Sequence, residues 1–216
     1  LERLRDISVD TNLLLSTELN IPVSAAITCI KPSGTVSQLV DSASGIHTRH
    51  SKYYVRRVRG DKKDPLSTFM TDQGIPSEDC VLRPESTTVF SFPKKSPDGA
   101  LLREDITAIE HLELWLMYQK HWCEHKPSVT ISVEEHEWPE VGSWIWKNFD
   151  DVSGVSFLPY DGGTYKQAPY EECTEEEYKE LLHKMPKSIE WNSLIEIDDN
   201  VEGAQTLACT AGACEI

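Results

Sequence analysis

Apolar residues recur at helical spacing through residues 1–20, at Leu4, Ile7, Leu14 and Leu15, and Asn20 with Pro22 ends the pattern. The next stretch, PVSAAITCI (22–30), is nearly all apolar and predicts a strand buried on both faces. KPSG then turns the chain into TVSQLVDSA, which predicts a short helix opened by Ser33 and Gly34. SKYYVRRVRG (51–60) predicts a strand, and PLSTFMTDQGIP (65–76) a helix ended at Gly74. ESTTVFSFP (85–93) alternates with a period of two and predicts a strand that Pro93 closes. The strongest helical pattern is EDITAIEHLELWLMYQKHWCEH (104–125), with Ile106, Ile109, Leu112 and Leu116 on one side. SVTISV (128–133) and GVSFLPY (154–160) predict strands, with the amphipathic WPEVGSWIWKNFDDV (138–152) between them and Pro139 near its start. TEEEYKELLHKM (174–185) predicts a helix with Thr174 as N-cap and acids in its first turn.

Helices alternating with short apolar strands predict an α/β protein with a largely parallel sheet. Beyond Leu194 the periodicity fades, and IEIDDNVEGAQ is acidic. The pattern therefore divides the chain into a folded part, 1–194, and a flexible acidic tail, 195–216. Internal repeats and low-complexity tracts are absent, as are GxxxxGK[ST], HExxH, GxSxG and paired CxxC motifs.

Charge narrows the choice of partner. The 216 residues carry 36 acidic against 21 basic side chains, a formal net charge of -15. That balance argues against a nucleic-acid polymer or an anionic membrane. The exception is the basic patch RHSKYYVRRVRGDKK (49–63), which is suited to meet phosphate. No apolar run approaches the ~20 residues of a membrane span, and no signal-peptide pattern opens the chain. Leu1 in place of methionine predicts a piece of a longer chain, by processing, splitting or fragmentation. Cys29, Cys80, Cys123, Cys173, Cys209 and Cys214 are too scattered for a disulfide scaffold, so a reducing cytoplasm is expected. Cys29 and Cys123 lie in apolar segments and read as buried thiols.

Two stretches carry chemistry. In ITCIKPSGTVSQLV a turn delivers Pro32, Ser33, Gly34, Thr35 and Val36 to a helix start, where unpaired N–H groups favour an anion. Ser33, Thr35 and Ser37 add hydroxyls, and Gly34 admits close approach to the backbone. A phosphate suits this turn; an ordinary serine-capped connection is the alternative. The second stretch is Cys209-Thr-Ala-Gly-Ala-Cys214, where Gly212 lets the chain fold until the two thiols meet. So small a loop gains little stability from closure, which favours a redox carrier over a structural staple. Glu215 and the terminal carboxylate raise the thiol pKa values, Cys214 most, so the pair suits a reductant fed by a partner. Two incidental tail cysteines or half a metal knuckle are the alternatives.

Other groupings read more plainly. His121, Cys123 and His125 look like a ligand cluster but belong to a helix end, since alternate helical residues diverge. His47 and His50, in GIHTRH, line the phosphate cleft or a solvated basic loop. Trp144 and Trp146 read as core and helix-face packing.

With these features together, the sequence resembles the C-terminal part of adenosylcobalamin-dependent (class II) ribonucleoside-triphosphate reductases. The resemblance spans essentially the whole chain and rests on KPSGTVSQL, SGIHTRHSKYYVRRVR, ESTTVFSFPKK, SVTISV, FLPYDGGTYKQAPYEE and CTAGACEI. It implies the later strands and helices of a ten-stranded α/β barrel, incomplete in this chain. It also implies that residues 32–36 hold the substrate phosphates. Cys209 and Cys214 would be the dithiol that re-reduces an active-site disulfide before thioredoxin reduces them in turn. In the family, cobalamin generates a thiyl radical on a finger-loop cysteine; that radical takes the ribose 3′ hydrogen while a cysteine pair supplies two electrons.

The finger loop, of Asn-x-Cys-x-Glu type, is missing from this sequence. Cys173-Thr174-Glu175 imitates part of it, but Glu171 stands where the asparagine belongs and the segment caps a helix. The expected partners are therefore an N-terminal portion of the reductase, a ribonucleotide and thioredoxin, with adenosylcobalamin shared with the missing portion. The chain alone is expected to be inactive and to expose apolar surface. A non-catalytic phosphate-binding module and a small thiol carrier are the alternatives from other classes.

Overall fold

The computed structural model describes residues 1–34, 36–160 and 166–195, so Thr35, Cys209 and Cys214 lie outside the described residues. The chain is mixed α/β and divides into two compact units, Leu1–Arg49 with Gly99–Gly162, and His50–Asp98 with Gly163–Ile216.

The first unit is built on the helices α1 (Glu2–Leu19), α2 (Val36–Leu39), α4 (Ala108–His121) and α5 (Trp138–Lys147), with strands β4 (Val129–Val133) and β5 (Val155–Pro159). β4 and β5 pair in parallel from Val129 opposite Val155 to Val133 opposite Pro159. With α5 between them in sequence they form the β-α-β unit that the alternating pattern predicted. β4 buries Val129, Ile131 and Val133 against Leu112, Trp115 and Leu116 of α4 and Val141 and Trp144 of α5. Burying each such side chain contributes roughly 1.5–3 kcal/mol.

The ends of these helices follow local chemistry. α4 begins four residues later than periodicity predicted, because Thr107 and Glu110 close a capping box: Thr107 Oγ1 accepts from Glu110 N–H and Glu110 Oε2 from Thr107 N–H. It ends at His121, so the histidine–cysteine cluster is indeed a helix end. α1 stops where Asn20 adopts the left-handed conformation, φ 54°, and donates to Ser16 and Thr17 carbonyls. Only Ser16 of α1 is buried, while Leu4, Ile7, Leu13, Leu14, Leu15 and Leu19 are exposed. Trp144 is core as expected, but Trp146 is exposed.

Residues 22–30 do not form the predicted buried strand; they are irregular and largely exposed. Their polar groups are met by a side chain and a loop instead of a strand ladder. The Glu124 carboxylate accepts from the N–H groups of Ile27 and Thr28, and Thr28 O accepts from Glu124 N–H.

The second unit carries β1 (Tyr53–Asp61), α3 (Pro65–Asp72), β2 (Ser77–Asp79), β3 (Thr87–Lys95), β6 (Tyr170–Glu172) and α6 (Glu175–Lys184). Its sheet runs β2-β3-β1-β6, and every pairing is antiparallel. Among the described residues, parallel strand pairing is thus limited to β4 and β5. Alternation marks a strand but not the direction of its neighbour. Pro93 lies inside β3 and does not close it. Ser91 N–H points toward the β2 side, where Pro76 O accepts it, so Pro93 two residues on faces the same side beyond the end of β2. Its missing N–H costs no ladder bond there. α6 starts as predicted, with Thr174 and Glu177 closing a second capping box.

Gly154 holds φ +65°, and a Cβ there would sit 2.6 Å from Pro127 O at the mouth of the β4–β5 pair. Gly154→Ala is expected to lower stability by about 1–3 kcal/mol. Gly142, in the middle of α5 with open space around its Cβ position, is expected to gain about 0.5–1 kcal/mol on replacement by Ala. Urea denaturation of the two variants, followed by tryptophan fluorescence, checks both signs.

Candidate functional site: a clasped turn in the first unit

The turn that follows Lys31 is held through its backbone. Ser33 N–H donates to Ser44 Oγ at 2.9 Å, and the same hydroxyl donates back to Ser33 O at 3.0 Å. Ser33 Oγ accepts from Ser37 N–H at 3.1 Å, which ties the turn to the start of α2. Gly45, at φ +61°, lets the clasping strand of loop approach: a Cβ there would lie 3.0 Å from Lys31 O. Lys31, which precedes the turn, donates from Nζ to Ser128 Oγ at 2.8 Å.

His47 carries this loop to the core. Its Nε2 accepts from Thr130 N–H of β4 at 2.9 Å, so the ring proton sits on Nδ1, which donates to Ser44 O at 2.6 Å. From α4, His111 Nε2 donates to Ile46 O at 2.8 Å. The two imidazoles meet edge to face with centroids 6.4 Å apart. Burial pushes the pKa of both rings below the ordinary value, more than their carbonyl partners raise it. Arg49 closes the loop, donating to Ser42 O and to the Asp41 carboxylate, both at 2.7 Å.

The predicted site residues separate as follows. Pro32 and Ser33 are half-buried, while Gly34 and Val36 are exposed at the tip. A Cβ at Gly34 would meet nothing within 4 Å, so an approaching group has room there. Ser37 Oγ is buried without a hydrogen-bond partner among the described residues. α2 has only four residues, so the anion-favouring element is the local set of N–H and hydroxyl donors, with little help from a macrodipole. His47 belongs to the turn; His50 belongs to the second unit, stacked on Tyr170.

The basic patch is engaged within the second unit. On β1, Arg56, Arg57 and Arg59 donate to the carbonyls of Pro169, Ala168 and Gln167. Arg57 also pairs with Glu171, and Lys62 with Asp79. Gln167, buried at φ 59°, donates to Asp79 O and accepts from Val81 N–H, both at 2.8 Å. The QAP motif is therefore a cross-brace within the second unit. Ser44 and His111 were missed by sequence reasoning, and nothing in their local patterns marks them. Among the described residues no group of three or more His, Cys, Asp or Glu side chains could hold a metal ion. No described helix is long and apolar enough to cross a membrane.

No family model matches the chain. It is similar to an adenosylcobalamin-dependent ribonucleoside-triphosphate reductase of Euglena gracilis, 32% identical over 216 residues, covering 99% of this chain and 30% of that protein. A reductase of the same description from Lactobacillus gasseri is 28% identical, covering 96% and 29% respectively. Among solved structures, a crystal structure of B12-dependent (class II) ribonucleotide reductase superposes with a TM-score of 0.74 at 26% identity, over 88% of this chain and 27% of that one. The chain thus spans about 30% of the length of the curated relatives it matches.

Because both imidazoles are held neutral, the unfolded chain takes up protons before the folded one as pH falls. Their contribution to stability is complete above about pH 6.5 and is lost below it, toward the lowered folded values. Thermal unfolding is expected at lower temperature at about pH 5.5 than at about pH 7.5. The double variant His47→Gln, His111→Gln is expected to flatten that slope.

Proposed function

We propose, from the premise that this chain is a homologue of the adenosylcobalamin-dependent (class II) ribonucleoside-triphosphate reductases, that it supplies that enzyme's substrate phosphate turn and its terminal reducing dithiol. The observation that carries the reading is the double hydrogen bond between Ser33 and Ser44, which fixes the turn's backbone while leaving Gly34 exposed. Phosphate oxygens would accept from the N–H groups of Gly34 and Val36 and the hydroxyls of Ser33 and Thr35, since the clasp already engages the N–H groups of Ser33 and Ser37. The parallel β4-α5-β5 unit is the repeat from which a ten-stranded barrel would be built, with the remaining strands contributed by the rest of the enzyme.

Cys209 and Cys214 would act on the far side of the reaction. A thiolate of the pair attacks the active-site disulfide, the mixed disulfide is resolved by the second thiol, and two electrons pass to the site. Cys209, farther from the terminal carboxylate, is the better first nucleophile. Thioredoxin or a similar reductant then restores the dithiol. The acidic residues 195–205 would give this arm its reach.

Adenosylcobalamin is proposed as the cofactor of the assembled enzyme, where it would supply the radical that starts the reaction. His47 spends both ring nitrogens within the fold, and no residue of this chain is assigned to the corrin.

The test is deoxynucleotide formation by this chain combined with the remainder of the reductase, adenosylcobalamin and thioredoxin. Gly34→Ala is expected to leave the melting temperature unchanged while raising KM for the nucleotide about tenfold, the loss of roughly 1.4 kcal/mol of binding. Cys209→Ser with Cys214→Ser is expected to abolish turnover on thioredoxin yet permit it with a small dithiol. An unchanged KM, or full activity on thioredoxin without the tail thiols, would contradict the reading.

A further inference from the structure

Two cysteines outside the tail have been brought together by the fold. Thr28 Oγ1 donates to Trp122 O at 2.5 Å, Glu124 N–H donates to Thr28 O at 2.9 Å, and Trp122 Nε1 donates to Cys29 O at 3.4 Å. These bonds lay residues 28–30 alongside 122–124 and set Cys29 next to the segment that carries Cys123. Cys29 Sγ donates to His125 O at 3.4 Å and to Lys126 O at 3.5 Å, just beyond Cys123 in the chain, and burial, with the nearby Cys29 thiol adding to it, raises the Cys123 pKa. Both are free and half-exposed, in contrast to the buried thiols that the apolar surroundings predicted. The remaining described cysteines, Cys80 and Cys173, lie in the other unit.

We infer that Cys29 and Cys123 form a second dithiol in this chain, one that closes to a disulfide by exchange with an external disulfide such as that of glutathione. In the first step one cysteine thiolate attacks a sulfur of the oxidant, giving a mixed disulfide and releasing one thiol. In the second, the partner thiolate attacks the protein sulfur of that mixed disulfide and releases the other thiol. One sulfur–sulfur bond forms in the protein, one breaks in the oxidant, and two electrons and two protons pass to the oxidant. Either cysteine can supply the entering thiolate, and the other then resolves the mixed disulfide. Contact through backbone hydrogen bonds on both sides keeps the resolving thiol at hand, so the mixed disulfide does not persist.

The position gives the bond a consequence. Cys29 lies four residues before Ser33, and Cys123 two residues beyond α4, whose His111 supports the clasping loop. Oxidation would join the entry of the turn covalently to the end of that helix. The pairing of Cys29 with Cys123 stands whether or not the turn binds phosphate.

The test uses the full 216-residue chain with Cys209→Ser and Cys214→Ser to silence the tail. The protein is equilibrated in glutathione mixtures of increasing oxidation, quenched in acid, alkylated and mapped by mass spectrometry. Paired loss of two alkylatable thiols, with one linked peptide containing Cys29 and Cys123, is the expected result. In Cys29→Ser the linked peptide disappears and Cys123 stays alkylatable until more oxidising mixtures. In urea the preference for this pair is lost. Independent glutathione adducts on Cys29 and Cys123 in the folded chain, or links to Cys80 or Cys173 at equal yield, would overturn the inference.

Discussion

The position of the turn depends on a neutral imidazole. His47 reaches from the loop to β4, with one nitrogen accepting from Thr130 and the other donating to Ser44. Ser44 in turn holds both backbone groups of Ser33. Each bond contributes about 0.5–1.5 kcal/mol net, whereas losing one partner of a buried group costs about 1–3 kcal/mol. The asymmetry makes the series act as a unit: protonating His47 removes the acceptor for Thr130 N–H. The exposed tip at Gly34 can be open because the residues behind it are fixed.

The second unit meets the same constraint with cations. The carbonyls of Gln167, Ala168 and Pro169 are satisfied by three β1 arginines, and the Gln167 amide replaces a missing strand bond at Asp79 and Val81. Fixed carbonyl dipoles and neighbouring carboxylates offset the desolvation of these guanidiniums. A basic stretch that reads as a phosphate surface is thereby largely spent on holding a loop. Arg56 also lies over the Tyr170 ring at 4.4 Å, adding a cation–π contact.

Much of the local structure was legible in the residues. Pro139, Thr174 with Glu177, and Asn20 mark helix ends by steric and hydrogen-bond rules that act within a few residues. The alternating apolar positions of β4 mark a buried face. What was not legible required partners distant in sequence. Residues 22–30 are apolar enough to read as a buried strand, yet Glu124 and the chain around it take up their polar groups. The direction of β3 against β1 could not be read from either strand alone. In the candidate site, Ser33 and Gly34 were legible from the turn chemistry; Ser44 was not, because a serine that holds another residue's backbone resembles any loop serine.

The central claim is that the clasped turn, and not the arginine-rich strand, receives phosphate. Hydrogen–deuterium exchange with and without a ribonucleoside triphosphate, on the chain assembled with the rest of the reductase, tests it most directly. Added protection confined to residues 33–37 and 44–47, absent from β1, is the predicted result. Protection along residues 53–61 without change at the turn would contradict it.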